Sequence, residues 1–201
     1  MRVHICGQKY FGGRVFGAVI GAGHIVTGVS APSTGDRLAF AAKRADIPLS
    51  IHNSIIGEAD ISAGADVILS AHCHAFIAAC ARAKARFGAL GYHPSLLPRH
   101  RGRDAIAWAL RMREAITGGS VYWLDDGADT GDIAAREAVF IREGDTARSL
   151  WERELAPLGV KLFLQVLGDL DNGVVTRIRQ ESEAATFEPA ITNNRLAGGA
   201  K

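Results

Sequence analysis

Apolar and polar positions alternate between two regimes along this chain. Five short apolar runs, at residues 2–7 (RVHICG), 24–30 (HIVTGVS), 47–51 (IPLSI), 66–70 (DVILS) and 89–92 (ALGY), are bounded by turn-forming residues. Runs of this length that carry β-branched side chains predict strands, and a continuous run such as DVILS suits a strand buried on both faces of a parallel sheet. Between them, apolar side chains recur at helical spacing. Val15, Phe16, Val19 and Ile20 predict a first helix that Gly21 and Gly23 stop, and residues 36–45 and the alanine-rich 77–86 predict two more. Asp104 reads as the N-cap of a helix carrying Ile106, Trp108, Ala109, Leu110 and Met112, with Gly118 and Gly119 closing the connection after it. Further strands are expected at 121–124 and, in more mixed company near an edge, at 133–141. Asp145 or Thr146 caps a long last helix running to about residue 170 and bending at Pro157. Residues 55–63 read as a loop or short helix, and 174–178 as a late edge strand.

Strand–helix alternation over the first two-thirds predicts an α/β fold, an open and mainly parallel sheet with helices on its faces. Residues 1–192 read as one domain, and the polar, glycine-rich 193–201 as a frayed tail. In such sheets ligands sit at the carboxyl ends of the strands. The loops after DVILS, after the strand ending at His93 and after the strand before Asp125 are all expected there.

Composition narrows the picture. A net charge of +2 over 201 residues provides no field to draw the chain to nucleic acid or to a membrane surface. No apolar run reaches the roughly 18 residues of a membrane span, and the first residues lack the apolar stretch of a signal peptide. Three cysteines, Cys6, Cys73 and Cys80, form no CxxC pair and read as reduced thiols of a cytoplasmic protein.

The chemistry concentrates between Gly91 and Asp132. Pro94 pushes His93 out of the helical region and holds it extended at a strand end. Asp125, Asp126, Gly127, Asp129, Thr130 and Gly131 form an acidic turn after an apolar strand. A histidine and an aspartate brought together this way can move protons near neutral pH. Other candidates carry less. Residues 7–13 (GQKYFGG) lack GxGxxG spacing. His72 and His74 have metal-ligand spacing but no third ligand nearby in sequence, so no metal is assigned. Cys73 as a nucleophile ranks below His93 as a proton carrier. Arg99, His100, Arg101 and Arg103 read first as a solvated basic loop.

The segment HPSLLPRHRG, followed some thirty residues later by DDGADTGDI, resembles the paired signature of the formyltransferase family that uses 10-formyltetrahydrofolate. Weaker similarity extends upstream through ADVILSAHCHAFI and downstream to GDTARSLWEREL and EAATFEPAI. The resemblance implies a Rossmann-like catalytic domain whose trio is an Asn two residues before the His, the His itself and the Asp of the turn. His93 and Asp129 match the last two. Gly91 stands where the Asn is expected, so the amide that would steady a developing oxyanion is missing. His72, His74 or a lodged water are the expected substitutes, and Tyr92 is disfavoured because neighbouring strand side chains point to opposite faces. The resemblance also implies folate contacts from His72, Cys73, His74, Ala75, Phe76 and Ile77, and from Asp125, Asp126, Gly127 and Ala128. It implies a small-molecule amine as acceptor, not tRNA or a purine precursor, and leaves open a homodimer, a formyl hydrolase and a non-catalytic folate binder.

Overall fold

The computed structural model describes residues 1–191; the expected tail at 193–201 lies outside the described residues. Seven strands form the main sheet: β1 (Arg2–Gly7), β2 (Ile25–Ala31), β3 (Leu49–Ile51), β5 (Val67–Ala71), β7 (Ala89–His93), β8 (Ile116–Trp123) and β9 (Ile133–Phe140). Their order is β3-β2-β1-β5-β7-β8-β9. The first five pair in parallel, while β8 and β9 are antiparallel additions at one side. A two-stranded ribbon of β4 (Ile55–Ile56) and β6 (Phe76–Ile77) lies apart from it. Helices α1 (Lys9–Gly21) and α2 (Arg37–Arg44) cover one face with a long helix from the C-terminal third. The short helix α3 (Ala79–Arg82) and a 3₁₀ turn at Glu58–Asp60 cover the other. The expected mainly parallel α/β sheet with helices on both faces is the observed one.

Several elements depart from expectation. The helix expected at 77–86 is a single turn, because Ile77 is spent on β6 and buried there. The strand expected at 121–124 begins at Ile116, so Gly118 and Gly119 lie within β8 rather than ending a connection. They are glycines for a close approach: a side chain at 119 would stand 2.6 Å from Cε2 of Tyr92. Asp104 stands at the N-cap position of α4 (Ala105–Arg111), as expected, but its side chain makes no capping hydrogen bond. Its φ is 63°, and its carboxylate accepts from the Ile191 N–H at 2.9 Å instead. Residues 174–178 do not form a strand; only Ile178 bridges, to Ile133. The last helix is continuous but changes winding: α5 (Ala147–Leu150), a π turn (Trp151–Leu155) and α6 (Ala156–Asp171). Pro157 offers no N–H to the carbonyl of Arg153, and the turn before it is wound wide as a π turn. Among the described residues no helix is long and apolar enough to cross a membrane.

Candidate active site

His93 ends β7, and two contacts fix its ring. Nε2–H donates to the backbone carbonyl of His100 at 2.6 Å. A carbonyl only accepts, so Nε2 carries the proton, and in the neutral ring Nδ1 holds the free lone pair. Nδ1 faces Oδ2 of Asp129 at 3.5 Å. The carbonyl that orients His93 is itself held in place. The buried His100 ring lies 3.1 Å from Oε1 of Glu114 and 3.1 Å from Oε2 of Glu188, and the backbone N–H of His100 donates to Oγ1 of Thr186.

Asp129 arrives by an unexpected route. β8 runs antiparallel to β7, with Leu90 opposite Trp123 and His93 opposite Ser120. The carboxyl end of β8 therefore lies at the wrong end of β7, three residues or about 10 Å from His93. The acidic loop recovers that distance by doubling back. Asp125 folds it, accepting from the Gly127 N–H at 3.0 Å and from the Thr130 hydroxyl at 2.7 Å. Asp129 then sits at its turning point with φ 57°. Gln180, buried in the C-terminal segment, donates from Nε2 to the carbonyls of Asp129 (2.9 Å) and Gly131 (2.6 Å), while its Oε1 accepts from Arg101. At the carboxylate, Oδ2 accepts from the Gly102 N–H at 2.7 Å and Oδ1 from the Tyr122 hydroxyl at 2.5 Å.

The pair opens onto a cavity of about 910 Å³ whose lining includes Ser70, His72, Cys73, His74, Gly91, Tyr122, Ala128, Phe11 and Trp151. Of the residues the resemblance nominated, His72, Cys73, His74, Ala128, His93 and Asp129 thus converge on one space. Ala75, Phe76 and Ile77 run away from it along β6, and Asp125, Asp126 and Gly127 stay on the outer side of their loop, exposed. Arg82 ties the two loops, donating to the Ile77 carbonyl at 2.7 Å and to Asp126 at 2.6 Å. The His72 and His74 rings lie 5.0 Å apart. Burial lowers both pKa values, helped by each ring's cationic neighbours, His74 and Lys9 for His72 and Lys9 and Arg103 for His74. Burial pushes the Cys73 thiol up to about 11, which keeps it protonated and removes it as a ready nucleophile. The first N–H of α1, next to this wall, is taken from inside: the Lys9 N–H donates to both oxygens of Asp36 at 3.1 and 2.9 Å.

Sequence reasoning missed Tyr122, Gln180 and the Gly102 N–H. Tyr122 carried no local signal, because its place opposite Gly91 follows only from the β7–β8 register. Gln180 lies in a segment without regular structure and had none.

A family model described as formyl transferase matches residues 38–167, more than half of the chain. The chain belongs to the formyltransferase family. The match contains His93, Asp129 and Gly91. The chain is 34% identical over 201 residues to mitochondrial 10-formyltetrahydrofolate dehydrogenase of Mus musculus, covering 94% of this chain and 22% of that protein. It spans about a fifth of the length of the curated 10-formyltetrahydrofolate dehydrogenases it matches. Among solved structures it resembles phosphoribosylglycinamide formyltransferase from Bacillus halodurans, with a TM-score of 0.72 and 24% identity over 85% of this chain and 95% of the other. It also resembles HypX from Aquifex aeolicus in complex with tetrahydrofolic acid, with a TM-score of 0.72 and 18% identity over 96% of this chain and 30% of the other. At these identities the two structures speak for the Rossmann-like formyltransferase fold.

Proposed function

We propose that this chain takes the formyl group of 10-formyltetrahydrofolate and passes it to an amine of a small molecule. The observation that carries the reading is the His93–Asp129 pair, with Nδ1 the proton-accepting nitrogen at the wall of a ligand-sized cavity. The folate supplies an activated formyl carbon, and the 910 Å³ space between the His72–His74 and Ala128–Asp129 loops is large enough to admit it. His93 Nδ1 takes the proton from the attacking amine and returns it to the departing folate nitrogen. Asp129 stabilises the imidazolium in between, its own charge steadied by Gly102 and Tyr122.

A second reading has water as the acceptor. It is favoured by Gly91, which removes the family amide, and by the 34% identity to a 10-formyltetrahydrofolate dehydrogenase over this whole stretch. Release of tetrahydrofolate from 10-formyltetrahydrofolate, measured with and without added amines, separates the two. Under either reading His93→Ala and Asp129→Ala each lower turnover by about 100-fold or more, and full activity in His93→Ala would overturn both. We place the reaction in the cytoplasm, on the strength of three free cysteines.

A further inference from the structure

Tyr122 carries no proton in the transfer just described, yet its hydroxyl is bonded directly to the Asp129 carboxylate. It stands on β8 opposite Gly91, 7% exposed, and lines the same cavity. A Cβ on residue 91 would lie 3.0 Å from Cε1 and 3.1 Å from Cζ of its ring, so the ring fills the volume that a side chain at 91 would need. Burial, with the charges of Asp129 and Asp125 beside it, holds the phenol far above its ordinary range, so it stays a neutral O–H donor. That donor is spent on Oδ1 of Asp129 at 2.5 Å, while Oδ2 takes the Gly102 N–H and faces His93 Nδ1. Two donors arriving at different oxygens fix the rotation of the carboxylate. With the phenol gone, Oδ1 loses its hydrogen bond, and the group is free to turn Oδ2 away from the imidazole.

We propose that Tyr122 is a positioning residue of this site, its hydroxyl locking the Asp129 carboxylate so that Oδ2 faces His93 Nδ1, and that Gly91 is the residue that gives its ring room. The proposal rests on the reading that His93 moves the proton in formyl chemistry. Its test compares wild type with Tyr122→Phe, which keeps the ring and therefore the packing against Gly91. Three quantities are read: tetrahydrofolate release from 10-formyltetrahydrofolate, thermal stability, and the ring-nitrogen NMR signals of His93. Loss of a hydrogen bond to a charged group predicts a kcat about 10- to 100-fold lower. KM stays within twofold, and the His93 nitrogen signals are displaced from wild type. A purely structural role would instead move KM and melting temperature while sparing kcat. Wild-type kcat together with unchanged His93 signals in Tyr122→Phe overturns the proposal. A wild-type enzyme that releases no tetrahydrofolate overturns the functional reading instead, and the NMR comparison, which needs no turnover, still decides for or against Tyr122.

Discussion

At the scale of single residues, Gly91 and Tyr122 behave as one unit. The Cβ missing from the first is the space the second occupies, with Leu124 Cδ2 only 2.9 Å from the same point. Gly91→Ala is therefore expected to cost about 1–3 kcal/mol through overpacking, seen by calorimetry as a melting temperature lower by about 3–10 °C. An unchanged melting temperature would mean that the ring can move aside. His93 and Asp129 were readable in the sequence because each announces itself locally, one by the proline after it and the other by its turn. Tyr122 was not, since its importance depends on which residue lies across the strand. That pairing follows from β8 starting at Ile116, five residues before the expected start. The substitutes expected for the missing amide, His72 and His74, do line the cavity, but no hydrogen bond joins either ring to Asp129 or His93, and the polar group beside Gly91 is the phenol.

At the scale of elements, the site depends on chain that has no regular structure. Gln180 bonds two carbonyls of the acidic loop and receives Arg101. Residues near it stitch the loop behind His93: the Arg101 N–H donates to the Thr186 carbonyl, the Thr186 N–H to the Pro98 carbonyl, and Nε1 of Trp108 to the Pro189 carbonyl. Gln180→Ala leaves the buried Gly131 carbonyl and the half-buried Asp129 carbonyl without a side-chain donor, at about 1–3 kcal/mol. The expected result is faster amide hydrogen exchange confined to residues 125–132 and weaker folate binding, with the main sheet unaffected. Exchange rates equal to wild type in that loop would refute it. The five parallel strands of the main sheet and the helices α1 and α2 were legible from their hydrophobic patterns, whereas the β4–β6 ribbon, whose first strand lies in a stretch read as a loop or short helix, was not. The antiparallel direction of β8 was not, because the alternation of side chains is the same for either direction, and the placement of the acidic loop inherited that error. Pro157 was rightly seen as a disturbance, but its outcome, a wide turn that presents Trp151 to the cavity, rests on packing against Tyr92, whose hydroxyl donates to the Leu155 carbonyl.

For the whole molecule, the interior strand β1 carries a titration that couples folding to acidity. His4 is 1% exposed. Its Nδ1 accepts from the Ser62 N–H at 3.1 Å, so Nε2 donates to Ser30 Oγ at 2.9 Å, and the Ser30 hydroxyl passes a hydrogen bond to the Asp60 carbonyl. Burial lowers its pKa from 6.5 to about 4. Between those values the unfolded chain binds a proton that the native His4 refuses, so stability falls as pH drops through this window, by up to about 3 kcal/mol. Urea midpoints measured from pH 7 to pH 4 should show this slope in wild type and a shallower one in His4→Gln; identical slopes would refute it. The fold class was legible as a whole because strand, helix and turn signals agreed over most of the chain. The network around His4 was not, since it joins residues up to 58 positions apart that share no local pattern.

The clasp around Gln180 also sets an order in time. Its bonds to the acidic loop span 51 and 49 residues, and the link from His100 to Thr186 spans 86. A growing chain that has emerged through Asp171 owns every strand of the main sheet and the long helix that covers it, yet the loops that carry its proton-transfer pair still lack their ties to Gln180 and Thr186. Recovery of native tryptophan and backbone signals during refolding should therefore run ahead of recovery of turnover, the interval between them being the time the last segment takes to find its loop.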